Sequence, residues 1–148
     1  MATPTDKAGL QQLADRLDIQ DWFTQYSKNV DGHHWDAWKA LYTEDAHLDY
    51  SSAGFAVGNR DEVCAALAEA MPALPMKQHF ITNVDIEFDG PDLARVRAMF
   101  YNPMILPGST EVSECGGYYH HEFVRTADGW RSRKLVEENL WFKNPPTV

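Results

Sequence analysis

The sequence is poor in cysteine: 148 residues hold only Cys64 and Cys115, far apart and in no C-x-x-C pair. No disulfide framework, zinc ribbon or redox motif can be built from them, and a reducing compartment is expected. Positive charge is scarce as well. Thirteen Lys and Arg face 22 Asp and Glu, a formal net charge of -9. A phosphate backbone would be repelled, so nucleic acid is not expected as a partner. No stretch reaches the ~20 apolar residues needed to cross a bilayer, and Met1 to Lys7 lack the basic start and apolar run of a signal peptide. No membrane partner is expected, and the expected location is the cytoplasm.

Motifs for several chemistries are missing too. There is no G-x-S-x-G elbow, and Cys64 falls mid-helix beside an apolar stripe, where a structural role is expected. Gly116-Gly117 opens or interrupts a strand pattern and does not join a strand to a helix, so no nucleotide cofactor is supported. All six histidines lie among carboxylates, and Asp45-x-His47-x-Asp49 projects three oxygen or nitrogen ligands from one strand face. That face is opposite the apolar one, adjacent His120-His121 point to opposite faces, and no H-E-x-x-H occurs. No metal and no cofactor are expected.

What is present is an ordinary globular composition, 44% hydrophobic and 24% charged, long enough for one domain over residues 1–148. Leu10, Leu13, Leu17, Ile19, Phe23, Tyr26 and Val30 recur at helical spacing and predict a long helix, broken at Asp31-Gly32. A short helix is predicted over His34 to Tyr42, then a strand over Asp45 to Tyr50 by its period of two. Asn59 with Glu62 three residues on predicts the capped start of a third helix, ended by Pro72 and Pro75. Four strands follow: Met76–Phe88, Leu93–Ile105, Glu111–Thr126 and Trp130–Trp141, separated by Asp89-Gly90-Pro91, Pro107-Gly108 and Asp128-Gly129. Such short connections pair neighbours as antiparallel hairpins. Helices segregated from a long antiparallel sheet indicate an α+β fold in which a curled sheet, closed by helices, makes a cup.

Within that frame His79 is the polar residue of most interest. Phe80, Val84, Ile86 and Phe88 share one strand face, while His79, Ile81 and Asn83 share the other, which turns acidic at Asp85 and Glu87. Period two leaves His79 either on a solvated face or lining a cavity. Asp31, beyond a helix C-terminus, is disfavoured there by the helix dipole. It is either a solvated turn residue or an acceptor for a histidine N–H, a bond that makes the other ring nitrogen a better base. Trp22, Tyr26, Trp35, Trp38, Tyr50, Phe100, Tyr118 and Tyr119 are placed to surround one interior. Most are expected in the core, with one or two tyrosine hydroxyls facing a cavity.

Ile19-Gln20-Asp21 to Tyr26, Val30-Asp31, Trp35-Asp36, Asp45-Ala46, Leu48-Asp49-Tyr50, Gln78-His79-Phe80, Asn83 and the closing Arg125 to Arg131 together resemble the SnoaL-like, scytalone dehydratase-like branch of the nuclear transport factor 2-like superfamily. The resemblance runs from about Leu10 to Phe142 in the same order. It implies a cone-shaped barrel, with three N-terminal helices closing the pocket. It also implies a dyad in which Asp31 orients His79 and His79 removes a proton. Tyr50 matches a substrate-polarising tyrosine of scytalone dehydratase; Trp22, Tyr26, Met104, Tyr118 and His120 complete the expected substrate contacts. Where scytalone dehydratase has a second histidine, this chain reads Asn102-Pro103-Met104, and where the related dehydrochlorinase has an arginine, Leu135 stands nearest. The implied activity is a cofactor-independent lyase or isomerase acting on a small, largely apolar cyclic molecule. The alternative is a binding module or a structural subunit, such as the small subunit of a ring-hydroxylating dioxygenase. The resemblance also implies a homodimer or homotrimer, built on the outer sheet face. The two readings separate on one observation: whether Asp31 reaches a His79 nitrogen while the other nitrogen stays free.

Overall fold

In the computed structural model, which describes residues 6–147, the chain begins with a capped helix. The stretch Met1 to Thr5, part of the segment read above for a signal peptide, lies outside the described residues. Asp6 accepts from the Gly9 N–H at 2.7 Å and opens α1, Lys7–Asp31. Its buried stripe is Asp15, Ile19, Trp22, Phe23, Tyr26, Asn29 and Val30. Leu10, Leu13 and Leu17, expected to start that stripe, are exposed. The buried residues at this end are Gly9 and Asp15, and Asp15 accepts from Arg125 at 2.7 Å, Trp130 at 3.1 Å and Gln11 at 3.1 Å. No helix among the described residues is long and apolar enough to cross a membrane.

The remaining elements are α2 (Trp35–Lys39), β1 (Tyr42–Asp49), a 3-10 turn over Ser51–Ala53, β2 (Val57–Asn59) and α3 (Arg60–Ala70). A second 3-10 turn over Met71–Ala73 leads to β3 (Met76–Lys77), β4 (Phe80–Phe88), β5 (Leu93–Ile105), β6 (Val112–Thr126) and β7 (Gly129–Lys143). The predicted capping box is formed: Asn59 accepts from Glu62 N–H and Glu62 accepts from Asn59 N–H, both at 2.9 Å. A cap of this kind contributes about 1 kcal/mol. Tyr42 belongs to β1 and not to the second helix, whose pattern stops at Lys39.

Seven strands form one curved, unclosed sheet in the order β2-β1-β7-β6-β5, with β3 and β4 sharing the far edge of β5. The hairpins β4–β5, β5–β6 and β6–β7 are antiparallel, as their turn signals predict. The pairing of β1 with β7 is parallel and joins segments some 90 residues apart, so no local turn announces it. With α1, α2 and α3 set against this sheet, the architecture is the expected α+β cone. Its core centres on Trp38, Tyr119, Phe123, Ile19, Leu48 and Leu135.

Two irregularities aim the interior. Opposite Asn102-Pro103 the edge of β5 changes partner from β3 to β4, so Met76 to Phe88 is not one strand. Proline has no N–H to donate to an edge neighbour, and the ladder breaks there. The second is a bulge between Thr82 and Asp85, with Asn83 at φ 51°. Two residues, Asn83 and Val84, span the place of Ala98 alone, which reverses the parity of everything before them. His79 and Ile81 therefore share the inner face with Ile86 and Phe88, while Phe80 turns out to solvent. The four-residue apolar face expected from strict alternation is corrected accordingly.

Candidate active site

The break between β3 and β4 frees the backbone N–H of His79 from the ladder. Asp31, the last residue of α1, takes it: Asp31 Oδ2 accepts from His79 N–H at 2.9 Å, while Oδ1 lies 2.6 Å from His79 Nδ1. One carboxylate thus holds both the main chain and the ring of the same histidine. Burial alone would raise the Asp31 carboxyl, but the ring and backbone hydrogen bonds from His79, the charge of His79 and that of Lys77 hold it below its ordinary value. An ionised Asp31 can only accept, so Nδ1 carries a proton, and in the neutral imidazole Nε2 is the nitrogen that bears the lone pair. The His79 side chain is 11% exposed, and among the described residues Nε2 has no hydrogen-bond partner. His79 also borders a groove of about 520 Å³ between α1 and β4, lined in part by Gln20, Thr24, Ser27 and Asn83.

Behind the histidine lies a buried tyrosine group. The Tyr26 ring meets His79 edge-on at 6.2 Å between centroids, and its hydroxyl is 2.8 Å from that of Tyr50. Tyr119 packs against both, stacks on Phe100 at 4.4 Å and accepts from Asn102 Nδ2 at 3.1 Å. Burial pushes the hydroxyls of Tyr26, Tyr50 and Tyr119 well above the ordinary tyrosine range, so all three stay protonated. They form one buried group of protonated hydroxyls, which the Tyr26 ring joins to His79.

Asp31, His79, Tyr26 and Tyr50 are therefore brought together, and Met104 packs at the edge of the same core. Trp22 is buried behind Tyr26, on which it stacks, and borders a different groove with Asp18, Leu41 and Trp130. Its Nε1–H donates to Leu41 O at 2.7 Å, and its ring is enclosed by Phe23, Tyr42, His121 and Phe123. Tyr118 and His120 lie on the outer sheet face, away from His79. Tyr118 lies under the Arg97 guanidinium at 4.8 Å, and His120 pairs with Glu138 at 2.8 Å on the outer side of the sheet. The run Tyr118-Tyr119-His120-His121 puts one tyrosine and one histidine on each face, so composition alone cannot choose. Glu114 and Glu122, of the same parity as Tyr118 and His120, carry the signal that this face is the outer one.

Sequence reasoning also missed Glu137. It sits directly across from Tyr119 in the β6–β7 ladder, on the inner face, and is 7% exposed. Neither carboxylate oxygen has a hydrogen-bond partner among the described residues, and Oε1 is sealed. Burial, reinforced by the charge of Asp49, pushes this carboxyl up to about 8. Deeper toward the narrow end, His121 Nδ1 lies 2.9 Å from Ser132 Oγ, whose hydroxyl donates to Lys134 O at 3.1 Å. The serine therefore accepts, and His121 is a neutral core residue whose pKa burial lowers to about 3.

The sequence matches the SnoaL-like domain family across residues 11–136. It is 33% identical over 133 residues to the protein Rv2910c of Mycobacterium tuberculosis, covering 89% of this chain and 90% of that one. A Novosphingobium aromaticivorans protein named for scytalone dehydratase superposes with a TM-score of 0.84 at 19% identity, over 93% of this chain and 92% of its own. A type 2 hexachlorocyclohexane dehydrochlorinase superposes with a TM-score of 0.81 at 22% identity, over 93% of both chains. At these identities the structural likeness carries the fold.

Proposed function

This chain belongs to the SnoaL-like domain family, and on that premise we propose that it is a cofactor-independent lyase or isomerase using His79 as a general base. The observation that carries this reading is the double hold of Asp31 on His79. It fixes the ring and puts a proton on Nδ1, so that in the neutral imidazole Nε2 is the basic nitrogen. Nε2 takes a proton from a carbon next to an activating group; the ionised Asp31 then stabilises the imidazolium. Steps of this type contribute about 10²–10⁴-fold in rate. Tyr26, whose ring edge meets the histidine, and Tyr50, bonded to it, supply donors for the developing charge or the leaving group. Loss of water or halide makes the reaction an elimination, and return of the proton elsewhere makes it an isomerisation. The names of the two structural relatives, a dehydratase and a dehydrochlorinase, both describe eliminations. Aromatic walls around the dyad favour a small, largely apolar cyclic substrate.

The test is a panel of small cyclic ketones, alcohols and halides incubated with wild type and His79→Ala, with product formation and solvent deuterium uptake read by mass spectrometry. Wild type converts or exchanges at least one member, and His79→Ala falls by about 10²–10⁴-fold. Equal turnover by the two proteins removes the base. The same proposal takes the protein as a homodimer or homotrimer formed on the outer sheet face. There Phe80, Tyr101 and Trp141 are exposed in one row across the sheet, with centroids 5.8 and 6.2 Å apart. Sedimentation of the intact chain as a monomer would remove that part.

A further inference from the structure

The interior holds more unsatisfied polar atoms than the dyad uses. Asn102 Oδ1, Ser113 Oγ, Glu137 Oε1 and both amide atoms of Asn139 are buried without a partner among the described residues. All four side chains sit on the inner face of β5, β6 and β7. The ladders set them along one stretch of that face: Asn102 faces Cys115, Met104 faces Ser113, Tyr119 faces Glu137 and Gly117 faces Asn139. A buried polar atom without a partner destabilises a fold, and native proteins hold few of them. Of the four, Glu137 lies directly across from Tyr119, one of the tyrosines that back His79, and its unpartnered carboxyl marks a place where a ligand supplies the partner.

Glu137 is the most costly of the set. No lysine, arginine or histidine pairs with it among the described residues, and the charge of Asp49 that acts on it is of like sign. Its backbone is held firmly, with Ser52 Oγ donating to Glu137 O at 2.7 Å and accepting from Asn139 N–H at 2.9 Å. A carboxyl fixed in an apolar wall without a cation persists as the neutral acid, which can donate.

We propose that Glu137 is a ligand-binding residue whose carboxylic acid donates a hydrogen bond to a hydroxyl or carbonyl oxygen of the molecule that His79 acts on. This rests on the reading of His79 as the base and narrows its substrate class: an oxygenated ring, not a purely halogenated one. A site built to bond an oxygen discriminates strongly against the analogue lacking it, because its own polar group is then left unpaired.

Phenol and toluene, equal in shape and different in the hydroxyl, are the probes. Binding of each to wild type, Glu137→Leu, Glu137→Gln and His79→Ala is followed by titration calorimetry and protein NMR, with cooperative unfolding confirming that each variant is folded. Wild type prefers phenol over toluene by about tenfold, the size of one hydrogen bond. Glu137→Leu loses the preference, Glu137→Gln keeps most of it through its amide donor, and His79→Ala keeps it. Raising the pH through about 8 erodes the preference in wild type and not in Glu137→Gln. The other groups facing this carboxyl do not titrate there: Tyr26 of α1 and Tyr119 of β6 are pushed well up by burial, Cys115 of β6 lies at about 12, and Asp49 of β1 is lowered by its bonds to Ser51. Equal phenol and toluene binding in wild type, no phenol binding up to its solubility, or an unchanged preference in a folded Glu137→Leu overturns the proposal. A preference that survives while His79→Ala turns over substrate normally retires the base and leaves this site standing.

Discussion

Replacing Glu137 by glutamine should make the protein more stable, by an amount that depends on pH in a defined way. In the fold this carboxyl titrates at about 8, against 4.5 for an ordinary glutamate. Below pH 4.5 both folded and unfolded chains hold the proton, and the group does not distinguish them. Between 4.5 and 8 the unfolded chain releases the proton and the folded chain keeps it, so each pH unit costs the wild-type fold about 1.4 kcal/mol. Above 8 the loss levels off at roughly 5 kcal/mol. Glutamine keeps the shape and cannot ionise. At pH 7 the variant should gain about 3 kcal/mol, or roughly 6–12 °C in Tm for a chain of this size. The assay is urea unfolding of both proteins at pH 4, 5, 6, 7 and 8. His121 makes the difference between the proteins essential. Its folded pKa of about 3, against 6.5 unfolded, makes wild type gain stability as pH rises from 3 to 6.5. The two groups oppose each other between 4.5 and 6.5, so wild type alone is nearly flat there and only the paired curves separate them. Parallel stability curves across the whole range would refute the neutral buried carboxyl, and with it the reason for calling Glu137 a donor.

Asp31→Asn should lower turnover of any substrate found by about 10²–10⁴-fold in kcat, because a neutral amide neither fixes the tautomer nor stabilises the imidazolium; an unchanged kcat would contradict the dyad. Asp31 titrates below its ordinary value. Its stabilising contribution is thus present above the unfolded pKa and lost as pH falls through the folded one, a loss absent from the Asn variant in acid unfolding. His121→Gln should resist acid better than wild type, with a relative gain of about 2 kcal/mol on going from pH 6.5 to 5, measured by urea unfolding at each pH. Gly117→Ala should destabilise by about 1–3 kcal/mol, since the added methyl would run into the backbone carbonyl of Glu138 at the β6–β7 bulge; full retention of the urea midpoint would contradict that close approach. Asn83→Val, which forces a β-branched residue to φ 51°, should cost about 1–2 kcal/mol in the same assay and reduce turnover by disturbing the parity that turns His79 inward.

Local rules account for much of this molecule. The stop of α1 at Asp31-Gly32, the Asn59–Glu62 box and the three hairpin turns each depend on a few adjacent residues, and strand β5 occupies Leu93–Ile105 as its alternation predicts. Asp31 and His79 could be named from the family resemblance, and the fold of the α+β cone with them. What sequence could not supply was facing. A period of two holds only while the ladder is regular, and here it is reset by Asn83 at a bulge, by the change of partner opposite Pro103, and by bulges against β7 beside Gly117 and Phe123. The resets in β4 and β7 exchange inner for outer, which is why Phe80 left the core and why Glu137 escaped notice, whereas β6 alternates regularly and Tyr118 to His121 simply offer the same residue types to both faces. Nor could sequence place β1 beside β7, because a parallel contact between distant segments has no local signature. The chain by itself determined which residue types were available for a base, its orienting carboxylate and an aromatic lining. Tertiary structure alone decided which of them meet, since 48 residues separate Asp31 from His79 and only the break in an edge strand brings one main-chain N–H to that carboxylate.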